Sequence, residues 1–224
     1  MTPKELTGQV ESHLIETLIG SKTFLVHHEV AQDLQRLIAS AEQAGYKMEI
    51  ASGFRSYQRQ SLIWNRKFAG ETAILDSDSQ PLDTAQLTDT EKLWAILRWS
   101  ALPGASRHHW GTDFDVFARN HLPEDTQLQL EPWEYFTGHQ HSFYQWLEAN
   151  ADECGFFFPY RKDLGGVAVE PWHISHKRTA QLCLSQLSCP RLGNQLQSEP
   201  ILGYEIVMEH LESIYDRFIT NISN

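Results

Sequence analysis

Short segments with helical and strand-like patterns are interspersed along this chain without a regular strand–helix–strand rhythm. Helices are predicted over residues 30–44, 56–68, 88–99, 141–151, 177–187 and 201–222, and strands over residues 46–52, 110–117 and 167–174. A doubly wound parallel sheet requires a crossover helix between successive strands in a repeating order, which this sequence does not have. The pattern therefore favours an α+β fold.

Capping and turn residues support several of these boundaries. Gly45 is placed to end the helix of residues 30–44. Thr88 and Glu91 have the spacing of a capping box, and Pro103 with Gly104 breaks the helix that follows. Loops are predicted over the polar residues 70–86 and the irregular residues 121–139, and a linker over residues 190–200.

The chain is predicted to be one domain spanning residues 1–224, with a motif-bearing core at about 30–187 and a helical C-terminal extension at about 200–222. At 41% hydrophobic residues, a chain of 224 residues can bury a core without help from a metal or disulfides. Cys154, Cys183 and Cys189 are irregularly spaced and describe neither a disulfide framework nor a zinc ribbon. Any bound metal is therefore expected to serve chemistry rather than folding.

The charge and the N-terminal sequence restrict the partners and the compartment. The net charge of −11 argues against nucleic-acid binding. The first twenty residues contain Glu5, Glu11 and Glu16 among apolar residues at helical spacing, which is not the pattern of a signal peptide. No stretch approaches the ~20 apolar residues of a membrane span. We expect a cytoplasmic protein with no membrane partner and leave its oligomeric state open.

The segment SRHHWGTDFD, residues 106–115, carries the residue types of a metal site. Neutral imidazole and carboxylate are nitrogen and oxygen ligands of zinc, and Gly111 lets the backbone turn so that both sides face one point. The residue types alone do not decide between His108 and His109, or between Asp113 and Asp115.

The segment EPWH adds Glu170 three residues before His173. Three protein ligands leave a fourth position on zinc for water, and a nearby carboxylate that is not a ligand can accept the proton of that water. On a straight strand these two side chains would point to opposite faces, so a bend or strand end is expected at Pro171.

A third segment, SGFRSYQRQ, places Arg55 just past a predicted strand and before a helix. A guanidinium group suits a carboxylate or a developing oxyanion. From the spacing alone, an exposed arginine at the start of a helix is the simpler interpretation.

Taken together, S-G-F-R-S, S-x-H-x-x-G-x-x-x-D and E-x-W-H resemble the motifs of the VanY-type D-alanyl-D-alanine carboxypeptidases, which belong to the LAS group of zinc metallopeptidases. The resemblance covers roughly residues 50–175. It implies a small antiparallel sheet flanked by helices, of the hedgehog/D-Ala-D-Ala peptidase type, with one zinc ion in a cleft. It also implies that His108, Asp115 and His173 are the ligands and that Glu170 is the base.

The same resemblance suggests roles around the ligands. Arg55 would hold the substrate carboxylate or the oxyanion, and His109 and Asp113 would support the ligands or lie at the surface. The remaining residues assigned to the substrate side of the site are Ser106, Tyr57, Gln58 and Trp172.

Three functions are compatible with these motifs. The leading prediction is a zinc carboxypeptidase or dipeptidase that cleaves a D,D- or L,D-peptide bond next to a D-amino acid, in small peptides derived from peptidoglycan. A murein endopeptidase of the same group is an alternative, and a cleft open beyond Arg55 would favour it. A non-catalytic, metal-containing binding module is the third, and the presence of Glu170 argues against it.

Overall fold

The computed structural model describes residues 1–223. Its six strands are β1 (Leu14–Ile19), β2 (Lys22–His27), β3 (Met48–Ser52), β4 (Asp113–Ala118), β5 (Phe156–Phe157) and β6 (His173–His176). Its α-helices are α1 (Pro3–Leu6), α2 (Ala31–Gln43), α3 (Tyr57–Phe68), α4 (Asp89–Trp99), α5 (Pro132–Phe136), α6 (His141–Asn150), α7 (Lys177–Gln186), α8 (Cys189–Ser198), α9 (Tyr204–Glu209) and α10 (Leu211–Ile214). None of the helices within residues 1–223 has both the length and the apolar character needed to cross a bilayer.

The strands form two antiparallel sheets. β1 and β2 make a hairpin, and the other four strands form a sheet in the order β3-β4-β6-β5. Every pair in the larger sheet is antiparallel, and β4 lies in its interior between β3 and β6. The predicted small antiparallel sheet flanked by helices is therefore confirmed.

Two hydrophobic clusters hold these elements together. The first packs α2 and α6 against the larger sheet, and the second joins α1, α3, α4 and the helices from α7 onward. The segment between the clusters is short, since Trp110 belongs to the second and Phe114 to the first. The SRHHWGTDFD segment therefore passes directly from one cluster to the other.

Most of the predicted helices are confirmed, but the predicted linker at residues 190–200 is wrong. Those residues lie in or next to α8, which begins after Ser188, whose hydroxyl accepts a hydrogen bond from the Arg191 amide. Pro190 sits in the first turn of α8, where the missing amide proton costs nothing. Leu192 and Leu196 are fully buried in the second cluster. The predicted helix over residues 201–222 is in turn divided into α9, α10 and a final π-helical turn, Tyr215–Ile219.

The sequence also failed to predict the β1–β2 hairpin. Strand β1 exposes two apolar side chains, Ile15 and Leu18, one on each face, so the first twenty residues lack the clear polar alternation of a half-buried strand. Two further boundaries differ. β4 begins at Asp113 because Arg107–Trp110 form a 3₁₀ turn, and β6 begins only at His173, after Pro171.

Gly111 ends the Arg107–Trp110 turn in a left-handed conformation, with φ +65°. A Cβ at this position would collide with the Leu14 side chain and lie 2.9 Å from the His27 backbone nitrogen. We expect Gly111→Ala to lower the free energy of unfolding by about 2 kcal/mol or more, because strain and steric conflict add. Urea unfolding measures this, with Gly20→Ala as the matched control. Gly20 also has a positive φ, of +60°, but a Cβ there meets nothing within 4 Å. Equal losses for both variants would contradict the steric account.

Candidate active site

Two neighbouring segments and a third one far along the chain bring His108, Asp115 and His173 together. His108 lies in the Arg107–Trp110 turn, Asp115 in β4 and His173 at the start of β6. Asp115 and His173 are directly opposed in the β4–β6 register. One potential ligand atom from each of the three residues lies within 4.8 Å of the others, and all three residues are buried.

The ring orientation of His108 is fixed by its backbone partner. Its Nδ1 is 3.0 Å from the carbonyl oxygen of Gly53, so the proton belongs on Nδ1. The Nε2 lone pair then faces Asp115, whose Oδ2 is 3.5 Å away. Burial lowers the pKa of His108 to about 4, which keeps the imidazole neutral near pH 7, as a metal ligand must be.

The two ring nitrogens of His173 have the opposite roles to those of His108. Its Nε2 donates to Asp113 Oδ1 at 3.0 Å, which leaves Nδ1 directed at Asp115 Oδ1, 3.3 Å away, and at Glu170 Oε2, 3.2 Å away. Burial alone would lower the pKa of His173, but the close approach of the three carboxylates Asp113, Asp115 and Glu170 outweighs it and raises the pKa. The imidazole therefore sits in a strongly negative environment.

Asp113 binds Nε2 of His173, the ring nitrogen that does not face Asp115. Its oxygens accept hydrogen bonds from Arg107 Nε at 2.7 Å, from His173 and from the Thr112 hydroxyl at 2.5 Å. Burial would raise the pKa of Asp113, but the Arg107 guanidinium and the His173 hydrogen bond hold it well below its usual range. Arg107 is in turn fixed by the Ser175 hydroxyl at 2.6 Å. Asp113 is thus an ionised anchor for His173 rather than a free ligand.

His109 is also occupied, and it faces away from the three converging residues. Its Nδ1 donates to the Arg55 carbonyl at 2.6 Å, and its Nε2 accepts from the Gly104 amide at 3.1 Å. Burial lowers the pKa of His109 to about 3, so the ring is neutral and bridges two backbone segments. In the structure His108 and Asp115 converge with His173, whereas the polar atoms of His109 and Asp113 make other contacts.

The donor set fits a zinc ion. His108 Nε2 and His173 Nδ1 supply two nitrogen lone pairs, and Asp115 supplies a carboxylate. Asp115 Oδ1 is buried and has no hydrogen bond within residues 1–223, although an isolated buried carboxylate oxygen is costly. Two imidazoles and one carboxylate, with room for a fourth ligand, are the protein contribution typical of a catalytic zinc site.

Glu170 reaches this cluster because the chain turns sharply before β6. The His173 amide donates to the Glu170 carbonyl at 3.1 Å, and the Glu170 amide donates to the Tyr160 carbonyl at 3.0 Å. The turn at Pro171 and Trp172 places the Glu170 carboxylate on the same side as His173, as the sequence predicted. Burial raises the pKa of Glu170, which makes its carboxylate a better proton acceptor than an exposed one.

A cavity of about 350 Å³ opens onto these groups. Besides the ligand cluster and Glu170, it is lined by Arg55, Ser106 and Trp172, all three of which the sequence assigned to the substrate side. Tyr57 and Gln58 do not line it. Tyr57 is buried and donates its hydroxyl proton to the Glu199 carbonyl, while Gln58 is exposed elsewhere on α3.

The Arg55 guanidinium is held at the cavity wall by neutral partners. It donates to the Gln60 side-chain oxygen at 2.8 Å and to the Ser52 hydroxyl at 2.9 Å. Gln60 is fully buried and donates to the Ala101 carbonyl, so it fixes the position of Arg55 without neutralising its charge. The Ser106 hydroxyl is buried and has no hydrogen-bond partner within residues 1–223.

Several cavity residues were missed in the sequence, Tyr160, Lys67 and Leu130 among them. The ring of Tyr160 lies 5.0 Å from the His173 ring, and Lys67 and Leu130 contribute from α3 and from the loop before α5. The peptide FPYRKD that contains Tyr160 follows a strand of only two residues, too short to give a periodic pattern.

Comparison with known proteins identifies the family. The family model described as "VanY: D-alanyl-D-alanine carboxypeptidase" matches residues 23–178, more than half of the chain. This chain belongs to the VanY family. The match spans all three motif segments and the whole of the larger sheet.

Relatives of this chain include a Haemophilus influenzae protein described as uncharacterised, 38% identical over 121 residues, which cover 53% of this chain and 92% of the relative. A D-alanyl-D-alanine carboxypeptidase of Enterococcus faecalis is 28% identical over 146 residues, which cover 64% of this chain and 45% of that enzyme.

Among solved structures, VanYB in complex with D-alanine-D-alanine has a TM-score of 0.54 at 22% identity, covering 85% of this chain and 91% of that one. A VanY D,D-pentapeptidase variant in complex with Zn(II) has a TM-score of 0.51 at 21% identity, covering 87% and 88%. These similarities confirm the VanY fold.

Proposed function

We propose that this VanY-family protein is a zinc-dependent carboxypeptidase that hydrolyses a peptide bond next to a D-amino acid, D,D or L,D, in small peptides derived from peptidoglycan. The observation that carries the proposal is the Glu170 carboxylate, which lies 3.2 Å from His173 Nδ1 and lines the same cavity as Arg55. A purely structural metal site needs no free carboxylate beside its ligands. The complexes that relatives form with D-alanine-D-alanine and with Zn(II) support the substrate class and the metal.

In this proposal His108, Asp115 and His173 hold one zinc ion, through Nε2, a carboxylate oxygen and Nδ1 respectively. The chemistry that zinc supplies at such a site is a water of lowered pKa, about 7, and a polarised carbonyl. Asp113 and the Gly53 carbonyl keep each imidazole in the tautomer that offers its lone pair to the metal.

Glu170 is the general base and then the general acid in this proposal. Its carboxylate accepts the proton of the attacking water and then delivers it to the nitrogen of the departing amino acid. The closed cavity around Glu170 supports this role, because burial raises the pKa of the carboxyl group and strengthens it as a base. Two carboxylates of the cavity wall contact His173 Nδ1 among residues 1–223, Glu170 at 3.2 Å and Asp115 at 3.3 Å, and this proposal assigns Asp115 to the metal.

Arg55 and Ser106 bind the substrate in this scheme. The Arg55 guanidinium has only neutral partners, so it keeps its charge for the terminal carboxylate of the substrate or for the oxyanion. The Ser106 hydroxyl lines the same cavity and is free to donate to a bound peptide. Trp172 provides an apolar part of the wall.

The decisive experiment combines metal analysis with a peptide panel. Protein purified without chelator should contain one zinc ion per chain and should cleave D,D- or L,D-peptides faster than L,L-peptides. Peptides with a free C-terminal carboxylate should be cleaved faster than their C-terminal amides, which distinguishes a carboxypeptidase from an endopeptidase. A protein without zinc, or one that cleaves L,L-peptides best, would contradict the proposal.

Asp113→Asn is expected to weaken zinc affinity by about 10–100-fold, the usual effect of losing a carboxylate that orients a ligating histidine. Chelator competition measures the change. The matched control is Asp33→Asn, because Asp33 forms the same type of pair with His176, at 3.1 Å, on the same strand but away from the ligands. Equal zinc affinity of the two variants would show that Asp113 does not act through His173.

A further inference from the structure

Lys67 is a positively charged residue in the cavity wall without a partner. It lies in the last turn of α3, on the same helix face as Ile63, and both residues line the cavity that contains the ligand cluster. Within residues 1–223 the ammonium group has no carboxylate at salt-bridge distance and no hydrogen-bond acceptor, in a chain whose net charge is −11. Burial is the cause that lowers its pKa.

A role in helix stabilisation does not account for this placement. A lysine near the C-terminus of a helix interacts favourably with the helix dipole, but that interaction is weak and requires no burial. Arg66, the preceding residue, is exposed in the same turn and already supplies such a charge from solvent. Lys67 is half-buried, and partial removal of an ammonium group from water without a counter-charge is unfavourable, so an anionic ligand in the cavity would be favoured there.

The position of Lys67 indicates which part of a substrate this anion belongs to. Arg55 is held next to Gln60, seven residues before Lys67 on the same helix, so the two cations are separated by about 10 Å along the helix axis. That separation corresponds to roughly three residues of extended peptide. Leu75 and Trp99 also line the cavity, and its one other cation among the described residues, Arg107, is paired with Asp113.

We propose that Lys67 is a specificity-determining residue that binds a second carboxylate of the substrate, on an acidic residue a few positions upstream of the scissile bond. This inference rests on the proposed carboxypeptidase function. In a carboxypeptidase the leaving group is a single amino acid whose carboxylate is taken by Arg55, so any further anion belongs to the acyl side. The preferred substrate is then an acidic stem peptide rather than a D-Ala-D-Ala dipeptide.

The test uses paired peptides that end in D-Ala-D-Ala. Each pair has Glu or the isosteric Gln at one of the second to fifth positions upstream of the scissile bond. The zinc-loaded enzyme should prefer Glu over Gln at one position by about tenfold in kcat/KM, the scale of one charge-assisted hydrogen bond. Lys67→Met should remove this preference and Lys67→Glu should reverse it. Arg66→Met, which removes the neighbouring exposed cation, should leave the preference intact.

Binding to the Glu170→Gln variant, measured by calorimetry, separates this inference from the proposed function. If wild-type protein cleaves all peptides equally well and Lys67→Met changes nothing, the inference is overturned and the carboxypeptidase function stands. If no peptide is cleaved but the Glu peptide still binds about tenfold tighter in a Lys67-dependent manner, the anion site stands and the proposed reaction fails. The absence of both cleavage and selective binding overturns both.

Discussion

His173→Ala is expected to abolish stoichiometric zinc binding and to reduce peptidase activity by about 10³-fold or more, since a catalytic metal contributes several kcal/mol of transition-state stabilisation. The residue supplies one of the two nitrogen lone pairs and is the point where Asp113, Asp115 and Glu170 meet. The zinc content of the purified variant and its turnover of a D,D-peptide are the measurements.

The control for this substitution is His28→Ala, which removes an exposed histidine from the end of the hairpin. It should keep both zinc and activity. Because His173 is buried, thermal unfolding of the metal-free proteins is needed as well, to show that the variant still folds. A folded His173→Ala protein with a full zinc complement would remove this residue from the ligand set.

Glu170→Gln should lower kcat by about 10²–10⁴-fold while zinc content stays unchanged, because the amide keeps the shape of the side chain but cannot accept a proton. KM should change little, since the lost interaction is one made in the transition state. Steady-state kinetics with metal analysis on the same preparation measures both quantities.

Glu131→Gln is the matched control, because Glu131 is another glutamate of the cavity wall and does not contact His173 among the described residues. It should retain kcat. If Glu170→Gln also retained kcat, a different group would have to be the base. If it lost zinc instead, Glu170 would be a ligand rather than a proton acceptor.

The sequence predicted the helices well because their apolar periodicity and capping residues are local signals. The strand assignments were less complete, since pairing between distant segments has no local signature. The β1–β2 hairpin and the two-residue β5 were missed for this reason. The helix α8 was mistaken for a linker because proline and glycine were weighed above the buried Leu192 and Leu196.

The types of the residues alone could not decide whether Asp113 or Asp115 is the metal ligand. Two residues apart on one strand, both side chains point to the same face of the sheet, so alternation cannot distinguish them. The β4–β6 register does, because Asp115 is opposite His173 and Asp113 is opposite Ser175, beside Arg107. The family motif predicts Asp115 as the ligand, and its position opposite His173 is consistent with that prediction.

Substrate contacts were the least predictable part of the site. Tyr57 and Gln58 follow Arg55 directly in the sequence, yet neither side chain lines the cavity. Lys67 lies twelve residues after Arg55 and does line it. Which face of α3 meets the cavity depends on loops that pack against it from far along the chain, and the periodicity of the helix carries no information about them.

The cavity wall contains residues from regular strands and residues from irregular segments. Asp115 and His173 reach its wall from the paired strands β4 and β6, whereas Leu75 and residues 129–131 reach it from irregular segments. Loop residues tolerate substitution and insertion far better than paired strands do. Reactivity and selectivity are therefore separable in this molecule: exchanging those irregular segments would retarget the enzyme while its hydrolytic machinery stays in place.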